Sequence, residues 1–284
     1  MRGRLSAPLA LLLLLPLPPV LQPAVAAGKV AGTLSLRDAL TAPGRPVMIE
    51  ARLVRAGLLG QTGLGGEQLE FTVEGKKAGT AMTGGDGRAF LEYTPRRAGH
   101  YAVKVRLPLS QRVESPEASA TMACWERRRP ILLVEFAALI EEKPAPTVPL
   151  PEFGRQDRPG PAPDAADELK RLTRFYYNLI YVIGDAEGGE PGEVRAWLQD
   201  HKFPAGYSLD VHPERRRLAP AIEDLRADGW ENLKAGVGRT REFAEVLVDQ
   251  RMEVVIVPEP DRGELPKRAR VAKTWKDVRT KLNR

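Results

Sequence analysis

The stretch "ILLVEFAALIEE", Ile131 to Glu142, decides how the second half of the chain is read. Four apolar residues, Ile131 to Val134, run without alternation, as in a strand buried on both faces of a parallel sheet. Glu135 follows where that strand should end. In open α/β sheets, ligands and reacting groups gather outside the carboxyl ends of the strands. The hydrolase form of such a strand carries two aspartates two residues apart, and here the second place is Ala137. The stretch therefore poses a choice between an active site and the remains of one.

Working outward, the rhythm from Pro130 onward is strand and helix in alternation. Strands are expected at Ile131–Phe136, Asn178–Ile183, Tyr207–Val211, Leu233–Val237 and Glu253–Val257. Asp164 is placed to cap a helix with Leu169, Leu172 and Tyr176 on one face. Pro191 opens a second helix with Val194, Trp197 and Leu198 inward. Leu218, Ala221, Ile222 and Leu225 mark a third, ended by Gly229. Phe243, Val246 and Leu247 mark a fourth, and Val271, Trp275, Val278 and Leu282 a last one. This alternation predicts a parallel sheet with helices on both faces. Residues 141–163, rich in proline, read as a long loop inside this domain.

From Gly32 to Glu126 the period is two. "EQLEFTVEG" puts Leu69, Phe71 and Val73 on one face, and "HYAVKVRL" puts Tyr101, Val103 and Val105 together. In "VMIEARLV" the inward set reads as Met48, Ala51 and Leu53. Gly84-Gly85-Asp86-Gly87 and Arg97-Ala98-Gly99 are turn signals. About seven short strands over this length predict a β-sandwich. The five glycines from Gly57 to Gln68 lack the following helix and Lys of a phosphate loop, so a flexible connection is expected there.

Residues 1–27 have a basic start, a short Leu/Pro-rich run and a closing Ala24-Val25-Ala26, the pattern of a secretory signal peptide. No second long apolar run follows, so no transmembrane segment is expected after cleavage, and export to a periplasm or beyond the cell is. The single cysteine, Cys124, excludes an internal disulfide and reads with Trp125 as core or interdomain packing. The net charge of +6 is concentrated in a basic tail, residues 262–284, where nine Lys/Arg face two acids. No aromatic residues interleave with these basic ones, so a nucleic-acid groove is not expected. His100, His201 and His212 lack metal-ligand spacing.

Two resemblances rest on these segments. "GGDGRAFLEYTPRRAGHYAVKVRL" resembles bacterial Ig-like domains, with their "DG-x-A" turn, "Y-x-P" strand end and "AG-x-Y-x-V" strand. The order of segments from about 130 to 284 resembles the haloacid-dehalogenase hydrolase superfamily, in its lipin-like phosphatidate-phosphatase branch. Ile131–Leu139 stands for the D-x-D-G-T strand, "PDAADELKRL" for the first helix and "LIYVIGD" for the second strand. Trp197-Leu198 with Phe203-Pro204 stand for the next element, and "KAGVGRTREF" for the last loop. The expected organisation is a signal peptide at 1–27, an Ig-like sandwich at 28–127 and a Rossmann-like, haloacid-dehalogenase-like domain at 128–284.

The resemblance implies a phosphoryl-transfer site, and this sequence departs from it position by position. The nucleophile place holds Glu135, the acid place Ala137 and the hydroxyl place Ile183. The metal-side acids fall at Arg239 and Phe243, and a basic phosphate ligand falls near Arg217. Arg239, or Arg241 beside it, is expected to pair with Glu135, an ion pair replacing a metal. Asp185 follows the second strand at the same sheet edge. The expected function is a non-catalytic pseudophosphatase that binds or scaffolds, with an anionic ligand or an envelope protein as partner and no cofactor. The alternative is a divergent, Mg²⁺-dependent phosphatase of a phospholipid or sugar phosphate, using Glu135 with Asp185 or Glu242.

Overall fold

The computed structural model describes residues 28–57, 60–108, 110–141, 159–184, 191–260 and 265–282. The expected signal peptide, Asp185 and most of the proline-rich loop lie outside the described residues.

The N-terminal body is a β-sandwich of two packed sheets. One sheet has the order β3 (Ala39–Thr41), β11 (Ala118–Cys124), β9 (Gly99–Arg106), β6 (Gln68–Val73) and β7 (Lys76–Met82). The other is built on the long strand β4 (Val47–Gly57), which pairs with β2 (Thr33–Leu36), β5 (Gly60–Gly63) and β8 (Arg88–Tyr93), and β1 (Val30–Ala31) and β10 (Val113–Glu114) form a short parallel pair beside them. Period-two alternation turns Ile49, Ala51 and Leu53 of one sheet onto Leu69, Phe71 and Val73 of the other, all buried. Met48 is thus a correction to the expected pattern. It is 52 % exposed, because the inward series on β4 runs through Ile49, its neighbour.

The glycine-rich segment is likewise more ordered than expected where it is described. Gly60–Gly63 forms β5 and pairs with β4 from Val54↔Gly63 to Gly57↔Gly60. A Cβ on Gly63 would lie 2.2 Å from the carbonyl carbon of Asp86. The glycine there allows two backbones to touch.

The second body is a six-stranded sheet, entirely parallel. Its order is β14 (Tyr207–Asp210), β13 (Asn178–Ile183), β12 (Ile131–Glu135), β15 (Leu233–Gly238), β16 (Glu253–Ile256) and β17 (Arg270–Val271). Strand order reverses beside β12, which puts Glu135 at the switch point. Helices Ala165–Phe175, Pro191–Asp200 and Trp275–Leu282 cover one face, and Arg215–Ala227 and Arg241–Asp249 the other. Five of the six strands therefore lie at the expected places.

The sixth strand was not expected. Val271 belongs to β17 and not to the last helix, which begins at Trp275. The basic tail is accordingly docked in part, with Trp275, Val278 and Leu282 buried. Two further corrections concern the helix Ala165–Phe175. Asp164 sits at its N-cap with φ 63° and no side-chain capping bond, and its carboxylate instead meets Lys276 Nζ at 3.3 Å. The helix stops at Phe175, so Tyr176 leaves the apolar face and is 48 % exposed.

Candidate functional site

At the end of β12 the chain enters a short 3₁₀ turn, Phe136–Leu139, whose four residues are all buried. Phe136 meets the Trp197 ring edge-on at 5.2 Å between centroids. Trp275 Nε1 donates to Ala138 O at 3.0 Å, so the C-terminal helix closes over the turn. Among the described residues, buried apolar side chains thus follow the strand end.

Glu135 is 2 % exposed and faces the start of the helix Arg241–Asp249. Its Oε2 accepts the backbone N–H of Arg239 at 2.6 Å and of Thr240 at 2.9 Å. Its Oε1 accepts the Thr240 hydroxyl. Thr240 Oγ1 in turn accepts the backbone N–H of Phe243 at 3.2 Å, as an N-cap residue should. The carboxylate therefore satisfies donors that the helix start would leave without partners, and its charge complements the positive end of the helix dipole. Gly238 makes the approach possible. A Cβ there would fall 2.7 Å from Glu135 Oε2 and 2.3 Å from Phe243 Cδ1.

The other expected site residues sort by this geometry. Arg239 does meet Glu135, but through its backbone N–H. Its guanidinium runs on to donate to Ile140 O at 2.6 Å. The expected ion pair between the two side chains is replaced by a backbone cap. The cause is local: residues 239 and 240 form the turn into the helix, so their N–H groups point at the strand end first. Phe243 is fully buried beside Gly236 and Gly238. Ala137 and Ile183 are buried. Arg241 points outward to Glu245 Oε1 at 2.6 Å, one helical turn away. Arg217 lies on the exposed side of the first turn of Arg215–Ala227. Asp185 lies outside the described residues.

A divalent cation does not fit the set the resemblance would assign to it. Ala137 and Phe243 carry no side-chain oxygen, Arg239 carries a cation, and both Glu135 oxygens already accept hydrogen bonds. Among the described residues no group of three or more His, Cys, Asp or Glu comes together.

The sequence reading missed a second buried polar cluster, between the two bodies. The Asp38 side chain, 1 % exposed, accepts the N–H of Thr121 and of Ser208, each at 2.9 Å, and Arg195 Nη1 at 3.1 Å. Arg195 Nη2 donates to Leu36 O at 3.0 Å and Ser119 O at 2.8 Å. Burial and the nearby Asp38 charge push the Tyr207 hydroxyl up to about 12. Beside the same seam Trp125 Nε1 donates to His100 Nε2 at 3.1 Å, and Trp125 stacks edge-on with Trp230 at 6.2 Å. The expected packing role of Cys124 and Trp125 is met there, with both fully buried. Asp38 and Arg195 stand 157 residues apart, and no local pattern couples them.

No family model and no curated protein matches the chain. Solved structures that match part of the chain include a CARDB domain from Pyrococcus furiosus, at 13 % identity and a TM-score of 0.25, covering 33 % of this chain and 91 % of that one. The fibronectin(III)-like modules of CbhA from Clostridium thermocellum match at 14 % identity and a TM-score of 0.24, covering 32 % and 94 %. A protein from Corynebacterium diphtheriae named as membrane anchored matches at 14 % and 0.26, covering 41 % and 23 %. Among the described residues no helix is long and apolar enough to cross a membrane.

Proposed function

We propose that this chain is an exported, non-catalytic protein that works by binding. In this reading the parallel sheet is of haloacid-dehalogenase descent and has lost its chemistry, and the sandwich presents or attaches it. The observation that carries the reading is the engagement of the Glu135 carboxylate by the N–H groups of Arg239 and Thr240. A nucleophilic carboxylate needs an oxygen aimed at an open phosphoryl site, within about 3–3.5 Å of the reacting atom. Here the oxygens accept from a helix start, and the chain continues into a buried turn. Ala137, two residues on from Glu135, carries no acid to protonate a leaving group.

The test is turnover of a broad phosphoester panel by purified protein, with and without Mg²⁺, beside Glu135→Gln. The expected result is no hydrolysis above the variant under either condition. Metal-dependent hydrolysis that disappears in Glu135→Gln would overturn the reading and establish a divergent phosphatase.

A further inference from the structure

The strands of the parallel sheet begin at the edge opposite Glu135, and two helices end there. The helix Ala165–Phe175 leads into β13, which starts at Asn178. The helix Trp275–Leu282 runs beside it in the same direction. Lys276 in its first turn meets Asp164 at the N-cap of the other helix. Lys281 O in its last turn accepts from Arg270, which opens β17. Both helices therefore bring their last turns to one place, and the basic tail ends there.

Two features of this place go unexplained by folding. The first is apolar. Phe175 is 66 % exposed and Tyr176 48 %, with their ring centroids 6.2 Å apart. Burying a Phe side chain is worth about 1.5–3 kcal/mol, and this one is left in water. The second feature is charge. Arg174 and Arg279 are exposed, and Arg129 and Lys281 are half-buried. Arg129 donates to Thr173 O, and Arg174 lies over the Phe175 ring, 5.3 Å from its centroid. The acids nearby are engaged elsewhere: Glu253 with Arg270 at 3.2 Å, Asp167 with Lys170 at 3.0 Å and Glu168 with Arg171 at 2.7 Å. Cations in the last turn of a helix complement its dipole, which accounts for the charges and not for the exposed rings beside them. On the other face of the sheet the signs are mixed. Arg127 lies over Trp230 there, with Glu126, Asp228 and Glu231 exposed in the adjoining chain. The positive excess thus belongs to the side of the two helices.

We infer that this helix-end surface docks an acidic segment of a protein partner, with carboxylates on Arg174 and Arg279 and an apolar side chain against Phe175 and Tyr176. A guanidinium fork matches a carboxylate, and arginine and tyrosine are the residue types that anchor protein interfaces. Two other occupants fit less well. A second copy using the same surface would set these cations against each other across the symmetry axis. A bilayer that took up Phe175 would take up the Arg174 guanidinium lying on its ring, and a charge in hydrocarbon is costly. The inference gives the binding reading above a surface, remote from Glu135, and rests on that reading only for the protein being a binder.

The experiment titrates a labelled synthetic peptide of Glu and Leu with the full protein, followed by fluorescence anisotropy. A peptide of Lys and Leu is the control. Wild type, Arg174→Gln, Phe175→Ser and Arg88→Gln, which removes an arginine on the sandwich, are compared, each checked for folding by circular dichroism. Saturable binding of the Glu peptide alone is expected. It should weaken about tenfold in Arg174→Gln and in Phe175→Ser, as loss of a charged donor or of an apolar anchor implies, and stay unchanged in Arg88→Gln. If Phe175→Ser does not fold, Tyr176→Ser replaces it, with a weakening of the same direction expected. No saturable binding to wild type, or an equal loss in Arg88→Gln, overturns the inference. So does sedimentation with vesicles of phosphatidylcholine and phosphatidylglycerol that needs Phe175, in place of peptide binding, or a dimer in sedimentation velocity that Phe175→Ser dissolves, in place of peptide binding. Peptide binding together with phosphoester turnover would keep the surface and remove the non-catalytic reading.

Discussion

Replacing Glu135 by alanine strips an acceptor from three donors at once: two backbone N–H groups and the Thr240 hydroxyl. All three sit at a part-buried helix start, on a carboxylate that is itself buried. Unsatisfied buried donors cost about 1–3 kcal/mol, and more where the lost partner was charged. Glu135→Ala is expected to lower stability by about 3 kcal/mol in urea unfolding, and Glu135→Gln by less, since its amide oxygen still accepts. A catalytic carboxylate gives the reverse pattern, because its removal often leaves stability unchanged or improved. An alanine variant as stable as wild type would therefore argue against a capping role. The sequence placed Glu135 at the strand end without difficulty, since a run of buried apolar residues can stop only where the sheet stops. Its partner was harder to read. Arg239 has a conspicuous charge, whereas the N–H groups that do the binding belong to every residue and leave no mark in the sequence.

At the scale of elements, alternation and continuous apolar runs carried nearly all of the legible structure. β12, β13, β15 and β16 are apolar because both faces are covered, and each lies within about a residue of its expected place. β17 was not legible because two residues, Arg270 and Val271, are too short to show a period, and their pairing with Val255 and Ile256 supplies the order. Met48 failed for another reason. Both it and Ile49 are apolar, so composition alone could not say which of the two faces inward.

The seam between β9 and the end of β11 yields a pH prediction. His100 Nε2 accepts the Trp125 indole N–H, which requires that nitrogen to be unprotonated. Burial, and then the charge of Arg129, lower the His100 pKa below the ordinary 6.5. The unfolded chain then binds more protons than the folded one between the two values, so stability rises with pH across that window. Full stability from this group is expected above about pH 6.5, with a decline as pH falls towards the folded value. Urea midpoints between pH 5 and 8 would show it, and His100→Gln, which can still accept from Trp125, should lack this part of the slope. An identical slope in the variant would assign the pH dependence to other groups.

For the whole molecule, the decisive contact is the one between its two bodies. Sequence reading divided the chain near residue 127 and could treat the halves only as neighbours, because each half satisfies its own periodicity. The structure joins them through Asp38 and Arg195, which together engage β2, β11 and β14. Two buried charges need each other more than they stabilise the fold. Removing one partner of such a pair typically costs about 3–5 kcal/mol, while removing both costs less than the sum. Arg195→Ala is expected to fall in that range, because it leaves the Asp38 carboxylate buried and also frees Leu36 O and Ser119 O. Asp38→Ala should cost a similar amount, and the double variant distinctly less than the two added. The same substitutions should also change cooperativity. With the seam intact, heat should unfold the protein in one calorimetric transition. With Arg195 removed, the sandwich and the parallel sheet, each with its own core, should melt in two. A single transition in Arg195→Ala, with additive losses in the cycle, would mean that the aromatic contact of Trp125 with Trp230 holds the bodies together by itself.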